Sequence, residues 1–462
     1  GFYFWLVGGY AKKRVMDSPV RIGLCRDERE TLIFGFYPVA GGKLLDASIA
    51  AGPEGDLRPI PAAAAYLWAV EAGEDAPAKL RPFAKTNIGE PQVVWLALTL
   101  DAGELGGGAY HGRVFVRYGD ATFQVPLKVE VGDRPLPGSE SFGLWFVDAE
   151  GVAENEEFQL CRLTDYGANG ASWQVAGAGK IARARRLLRS GQACGFDTLG
   201  FHGPGAGSAF AEQLAGNLSP PFLPTPRLVW LWWLGTGRPT TPSELTDLGS
   251  QVGALVPRMA AVSGENGPPP GTIRTWMVRE GCGVGLVPGL IEAGAVRKGD
   301  SIWLCMDLRK ADWKWAMRAV RSAFVGAAWQ GLAGSAVLCP RGPGGAEPPL
   351  LIWHVLRDAR EEAALVAMAL RDGVERGARG DFSDMVGRDG RILTIRDVQV
   401  PFRAVPRAFP SGKEVGGGLA AFRSARKRAL EAVGDLPPRA DNNVYRDGEP
   451  FLRDGSVRWA VW

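Results

Sequence analysis

Two hydrophobic rhythms divide the chain. Up to about residue 137, apolar positions fall in short β-prone runs, at residues 31–37 and 93–100, and residues 113–118 partly alternate polar with apolar. Gly119-Asp120 then turns the chain into residues 121–130, the second arm of a hairpin. Short strands joined by turns predict an N-terminal β-sandwich over residues 1–137. The Gly/Pro-rich stretch 132–138 marks its end.

From residue 139 the rhythm becomes strand then helix. Strands are predicted at 142–147, 170–173, 197–201, 227–234, 301–306 and 334–339. Helices are predicted at 154–166, 181–194, 313–329 and 361–376, with Gly167 and Gly195 as stops for the first two. Such alternation implies a parallel sheet, open or closed into a barrel, over residues 138–376. Residues 377–462 read as an irregular C-terminal tail with one helix at 419–433. Its aromatic end, Trp459 and Trp462, is expected to dock on the barrel or a partner.

Composition narrows the function classes. With 53 basic and 50 acidic residues among 462, the formal net charge is +3 and no basic stripe stands out, which speaks against nucleic-acid binding. The apolar opening, residues 2–7, is too short for a membrane span, and no later run supplies one. None of the six cysteines forms a C-x-x-C pair, so neither a zinc nor a redox motif is supported. Cys305 and Cys339 read as small buried hydrophobes, and pairing among the six stays open. Gly203-Pro204-Gly205-Ala206-Gly207 has the wrong spacing for a dinucleotide loop, and Ser411-Gly412-Lys413-Glu414 lacks the hydroxyl residue of a phosphate loop. No metal and no cofactor are predicted. The 16 Trp against 3 His fit stacking on sugar rings, whose C–H faces lie against aromatic planes, beside the plainer reading that most of these Trp residues are core.

Several segments carry a family likeness. They are Glu90-Pro91-Gln92-Val93-Val94-Trp95-Leu96, Gly108-Ala109-Tyr110-His111-Gly112-Arg113-Val114 and Val125-Pro126-Leu127-Lys128-Val129-Glu130. Asp165-Tyr166-Gly167-Ala168-Asn169-Gly170 and the stretch from Leu350 to Asp358 follow. In this order they resemble glycoside hydrolase family 123. The resemblance implies a multidomain β plus α/β chain, a β-sandwich followed by a degenerate (β/α)8 TIM-like barrel, and an extracellular or cell-envelope location. It also implies chemistry on N-acetylated hexosamine glycosides. There the substrate's own acetamido oxygen attacks the anomeric carbon, an Asp orients it and a neighbouring Glu protonates the leaving oxygen. The family carries that Asp-Glu pair after a central barrel strand. The matching strand here, 227–234, is followed by Gly235-Thr236-Gly237-Arg238-Pro239, without a carboxylate. The expectation is therefore a glycosidase-like scaffold, catalytically inactive or weakened, that binds glycan or a protein partner. The alternatives are an active retaining glycosidase with a relocated acid pair, and a structural subunit of a larger assembly or oligomer.

Barrel sites gather at the C-terminal ends of strands. That rule selects Asp148, Asp307 and His202 as candidate catalytic residues. It selects Trp173, Gln174, Trp232 and Trp233 as candidate substrate-binding residues, of which at most one of the last two faces the interior. His354 is expected at the surface or as a cap, and Arg357 in an ion pair with acids such as Glu361.

Overall fold

The computed structural model describes residues 2–6, 20–38, 41–50, 57–71, 78–90, 92–147, 156–174, 198–202, 227–233, 258–262, 275–279, 301–308, 332–338, 350–375, 449–453 and 456–460. It also describes short pieces between 182 and 196 and between 320 and 328. The chain divides into two compact units. One comprises Gly1–Pro137, Asp312–Ser322 and Pro348–Trp462, the other Gly138–Ala311 and Ala323–Glu347.

The first unit is built on two sheets. One is the antiparallel series β1 (Phe2–Leu6), β3 (Arg29–Pro38), β9 (Val94–Asp101), β6 (Ala65–Glu71) and β7 (Lys79–Pro82). The other runs β2 (Val20–Arg26), β11 (Ala121–Pro135), β10 (Gly108–Tyr118), β4 (Lys43–Ala50) and β8 (Thr86–Ile88), with β5 (Arg58–Pro59) beside β10. The sheets share one apolar core. Leu32, Phe34, Leu96 and Leu98 enter it from the first sheet, Leu24, Val114, Val116 and Leu127 from the second. Strand alternation explains the choice, since residues two apart share a face.

Strand β11 runs further than its sequence suggests. The Gly/Pro-rich stretch continues the strand to Pro135, with a register shift between Val131 and Pro135 that absorbs the irregularity. The Gly108-x-Tyr110-x-Gly112-x-Val114 segment has a physical reason at each position. Gly108 sits at φ 133, and the Tyr110 hydroxyl donates to the Leu105 carbonyl. A Cβ at Gly112 would crowd Ile60.

The predicted late helix begins earlier than residue 361. It is α2 in order of description, Leu351–Glu375, and it belongs with the sandwich unit rather than the barrel unit. Helix α1, Glu156–Asp165, lies in the barrel unit. The Leu351 amide donates to the Ala78 carbonyl and Leu350 bridges Lys79, so the start of α2 is tied to the β7 edge. The helix packs on β3. That cover explains why β3 reads as a continuous apolar run: one face meets the second sheet, and the other meets α2.

The second unit holds eight parallel strands closed into a barrel: β12 (Gly143–Val147), β13 (Gly170–Gln174), β14 (Thr198–His202), β15 (Arg227–Trp233), β16 (Arg258–Val262), β17 (Thr275–Arg279), β18 (Ser301–Asp307) and β19 (Gly334–Leu338). Six of these are predicted by apolar runs. Strands β16 and β17 are not, because each is five residues long and carries Arg at one end. Helix α1 ends where Gly167 takes φ 77 and the Gly167 and Ala168 amides donate to the carbonyls of Thr164 and Leu163. The chain then enters β13 through Asn169, whose side-chain oxygen accepts from the Leu144 amide at 2.8 Å.

Within the barrel unit Cys161 is disulfide-bonded to Cys194, with Cα atoms 4.9 Å apart. The sequence leaves this pairing open. Cys305 is buried and outside the disulfide, as its apolar run predicts, and so is Cys25. In the C-terminal region β20 (Glu449–Arg453) pairs antiparallel with β21 (Ser456–Ala460). The predicted helix at 419–433 and the terminal Trp462 lie outside the described residues.

Candidate functional site

The barrel interior sets the frame for the mouth. Trp145, Val147, Cys305, Ala336 and Leu338 form one buried cluster, with Trp303 packed against it. The Trp145 and Trp303 rings lie 6.0 Å apart at 44°. Three glycines make room for them. A Cβ on Gly170 would fall inside the Trp145 indole, and Cβ atoms on Gly143 and Gly334 would strike Trp303.

Paired residues on parallel neighbours share a face, so the register carries this interior set from strand to strand. Trp145 pairs with Gly170, which pairs with Thr198, which pairs with Arg227. Stepping two residues at a time along each strand, the same set continues through Trp233, Ala261, Met277 and Trp303. It closes through Cys305, Ala336 and back to Trp145. Both ends of this circuit meet in the buried cluster, so the assignment is consistent around the barrel.

At the C-terminal ends of the strands, this set contains Gln174, His202, Trp233, Arg279 and Asp307. Trp173 and Trp232 fall in the alternate set, which pairs with Phe201 and Ala260. The backbone thus places four of the seven sequence candidates at one end of one register face. Asp148 lies outside the described residues. Asp307 is solvent-exposed, while its strand neighbours Cys305 and Met306 are buried. Sequence reading overlooked Arg279. Its signal is the strand Thr275-Trp276-Met277-Val278-Arg279, apolar in the middle and charged at the C-terminal end.

A second polar cluster lies inside the sandwich unit. The Thr31 amide donates to Asp358 Oδ2 at 3.0 Å, and the Arg29 amide donates to Glu361 Oε2 at 3.1 Å. These amides lie on the stretch of β3 that β1 leaves unpaired, since β1 reaches only as far as Phe34. Two carboxylates of α2 thus take the place of a neighbouring strand. Arg357 donates to Asp358 Oδ1 at 2.8 Å and to Thr31 Oγ1 at 3.1 Å. Trp68 donates from Nε1 to Thr99 Oγ1, and the two threonine hydroxyls are 3.2 Å apart.

His354 completes the chain, its Nδ1 at 3.3 Å from Thr31 Oγ1. It is buried rather than a surface or capping residue, and Arg357 forms the expected ion pair with a nearby acid, Asp358. The reason is the same for both: this face of α2 is covered, so its polar groups must find partners inside. Burial, then the charges of Arg357 and Arg29, hold the His354 pKa well below the usual imidazole value. Burial pushes the Glu361 carboxyl up to about 8. Glu28 and Asp358 add to the rise, and Arg357 and Arg360 oppose it. This cluster has the chemistry of a joint between helix and sheet.

No family model and no curated protein sequence matches the chain. Solved structures do. A family 123 glycoside hydrolase from Clostridium perfringens, studied for glycolipid glycan hydrolysis, matches with TM-score 0.62 at 8% identity, over 94% of this chain and 99% of that one. A family 39 glycoside hydrolase from Bacteroides cellulosilyticus WH2 matches with TM-score 0.34 at 10% identity, over 80% of this chain and 83% of that one. The first likeness extends over nearly the full length of both chains, and at its identity it establishes that this chain has the fold of a glycoside hydrolase of the family 123 type.

Proposed function

We propose that the chain is a glycosidase-like scaffold whose barrel mouth binds glycan, with hydrolysis weakened or lost. The observation that carries this is the composition of the mouth set. Trp233, Gln174 and His202 suit a pyranose, with an apolar ring to stack on it and polar groups for its hydroxyls. Among the described strand ends, Asp307 supplies the carboxylate of that set. Glycoside hydrolysis in its usual form needs two carboxylates roughly 5–10 Å apart. The sequence after β15, Leu234-Gly235-Thr236-Gly237, holds none.

The competing reading is an active enzyme on N-acetylhexosaminides in which Asp307 works with Asp148. The exposure of Asp307 at the strand end favours it. An aryl N-acetylgalactosaminide separates the two. The scaffold reading expects binding by titration calorimetry, weakened at least tenfold by Trp233→Ala, and no turnover above background. Turnover abolished by Asp307→Asn or Asp148→Asn establishes the acid pair instead. The disulfide, together with the family likeness, supports an oxidising compartment outside the cytosol.

A further inference from the structure

Helix α2 leaves part of the first sheet's outer face open. On β6, Ala65 and Leu67 turn inward to the shared core, so Tyr66, Trp68 and Val70 lie on the outer face. Their register partners on β7 are Leu80 beside Val70 and Pro82 beside Trp68. Val70 and Leu80 are buried, Trp68 is half-buried, Pro82 is exposed and Tyr66 is 45% exposed. The Tyr66 and Trp68 rings lie 6.3 Å apart with planes 27° from parallel. Same-face neighbours on one strand repeat at about 6.5 Å, so the two rings follow the strand and face the same direction. Trp68 is held from behind. Its Nε1 donates to Thr99 Oγ1 at 3.1 Å, and the His354 ring of α2 meets it edge-on at 6.2 Å. The one polar group of the indole is thus committed to the interior, and carbon is what it shows outward.

Size and charge decide what such a patch takes. Two part-exposed rings and a proline offer on the order of 200 Å². A stable protein interface takes about 800 Å² from each partner. The exposed ions of β6 and β7, Glu71 and Arg81, are paired with each other at 2.8 Å. The patch is therefore too small for a protein partner and carries no charge of its own. A pyranose needs a preset aromatic plane for its C–H face and a hydrogen-bonding group at the rim, and Tyr66 brings both.

We propose that Tyr66, Trp68 and Pro82 form a binding platform for a neutral pyranose, built from the sandwich unit alone. Tyr66 supplies the stacking plane and a hydroxyl, Trp68 extends the plane and fixes it, and Pro82 borders it. The platform stands on its own residues and takes nothing from the reading of the barrel mouth.

The test uses fluorine NMR of the full chain labelled with fluorinated tryptophan, with the Trp68 resonance identified by its loss in Trp68→Phe. The probes are methyl N-acetylgalactosaminide and methyl glucuronide. The Trp68 resonance is expected to shift saturably at millimolar neutral sugar. Tyr66→Ala is expected to weaken that binding at least fivefold, and Trp233→Ala to leave it within twofold. Tyr66→Leu keeps apolar bulk without a plane and is expected to behave as the alanine variant. It carries the test if circular dichroism shows that the alanine variant does not fold. A Trp68 resonance that ignores sugar, or responds undiminished in the Tyr66 variants, overturns the platform while the barrel reading stands. A shift abolished by Trp233→Ala assigns the sugar to the mouth and overturns it too. A resonance that follows protein concentration instead of sugar assigns the patch to a second copy of the chain, with the same result. Glucuronide bound more than tenfold tighter than the neutral sugar overturns the neutral class. Failure of the barrel reading looks different: the Trp68 shift is intact and no binding depends on Trp233.

Discussion

Gly170 shows how a single residue can decide the packing of the barrel. It begins β13 directly after Asn169, and its Cα lies under the Trp145 indole with no room for a Cβ. Trp145 is fully buried and packs on Trp303, so the ring cannot retreat without moving a second one. Overpacking of this kind costs about 1–3 kcal/mol, and more when the obstacle is rigid. Gly170→Ala is therefore expected to lower the melting temperature by several degrees. Gly89→Ala, where a Cβ meets nothing within 4 Å, is expected to change it little. Differential scanning calorimetry of the two variants decides it, and equal melting points would mean that Trp145 does not hold this position. The sequence shows Gly170 only as one of 63 glycines. Its role becomes visible once Trp145 is known to pair with it across two strands.

Among elements, α2 and β3 form a joint whose stability depends on protonation. The Glu361 carboxyl has an ordinary value of 4.5 and a folded value of about 8. Below pH 4.5 it is protonated whether the chain is folded or not, and it costs nothing. Between 4.5 and 8 the unfolded chain has released a proton that the folded chain still holds, so stability falls as pH rises, by at most ~1.4 kcal/mol per pH unit. Above 8 the loss is complete and constant. His354 works at the other end: its lowered value removes stability as pH falls below the ordinary 6.5. Glu361→Gln keeps an oxygen for the Arg29 amide and removes the titration. Subtracting its melting curve from that of the unaltered protein isolates Glu361, since His354 is present in both. The variant is expected to gain in relative stability from pH 5 to pH 8, and parallel curves over that range would remove Glu361 as the source.

This joint also marks where sequence reading reached its limit. Four of the sandwich strands, β3, β9, β10 and β11, and six of the eight barrel strands are legible from apolar runs, because local burial leaves a local pattern. Helix α2 is read only in part, as its first turns are apolar on several sides and mix His354, Arg357 and Asp358 into the covered face. Those polar residues look exposed in sequence. Their partners, Thr31 and Arg29, lie more than 300 residues away. The mouth set follows the same logic. Strand ends are predictable, but which of Trp232 and Trp233 joins Gln174 and His202 depends on register around the closed barrel.

At the scale of the whole molecule, the disulfide links the barrel unit's first helix to the end of the helical segment after β13. Cys161 lies in α1, and Cys194 immediately precedes Gly195, which takes φ 81. The bridge encloses 33 residues of separation. Closing a loop of that length in the unfolded chain contributes about 3–4 kcal/mol on the chain-entropy account. For a unit of this size that corresponds to roughly 6–15 °C in melting temperature. Neither the sandwich core nor α2 contains this bond, so its removal is expected to act on the barrel unit first. Peptide mapping without reductant is expected to recover a Cys161–Cys194 pair, while Cys25 and Cys305 label only after denaturation. Cys161→Ser with Cys194→Ser, or dithiothreitol on the unaltered protein, is expected to lower the barrel transition by that amount. The same treatment should leave the pH difference between the unaltered protein and Glu361→Gln unchanged. Native protein in which both thiols alkylate freely, with melting insensitive to reductant, would overturn the bridge and with it the support for an oxidising compartment.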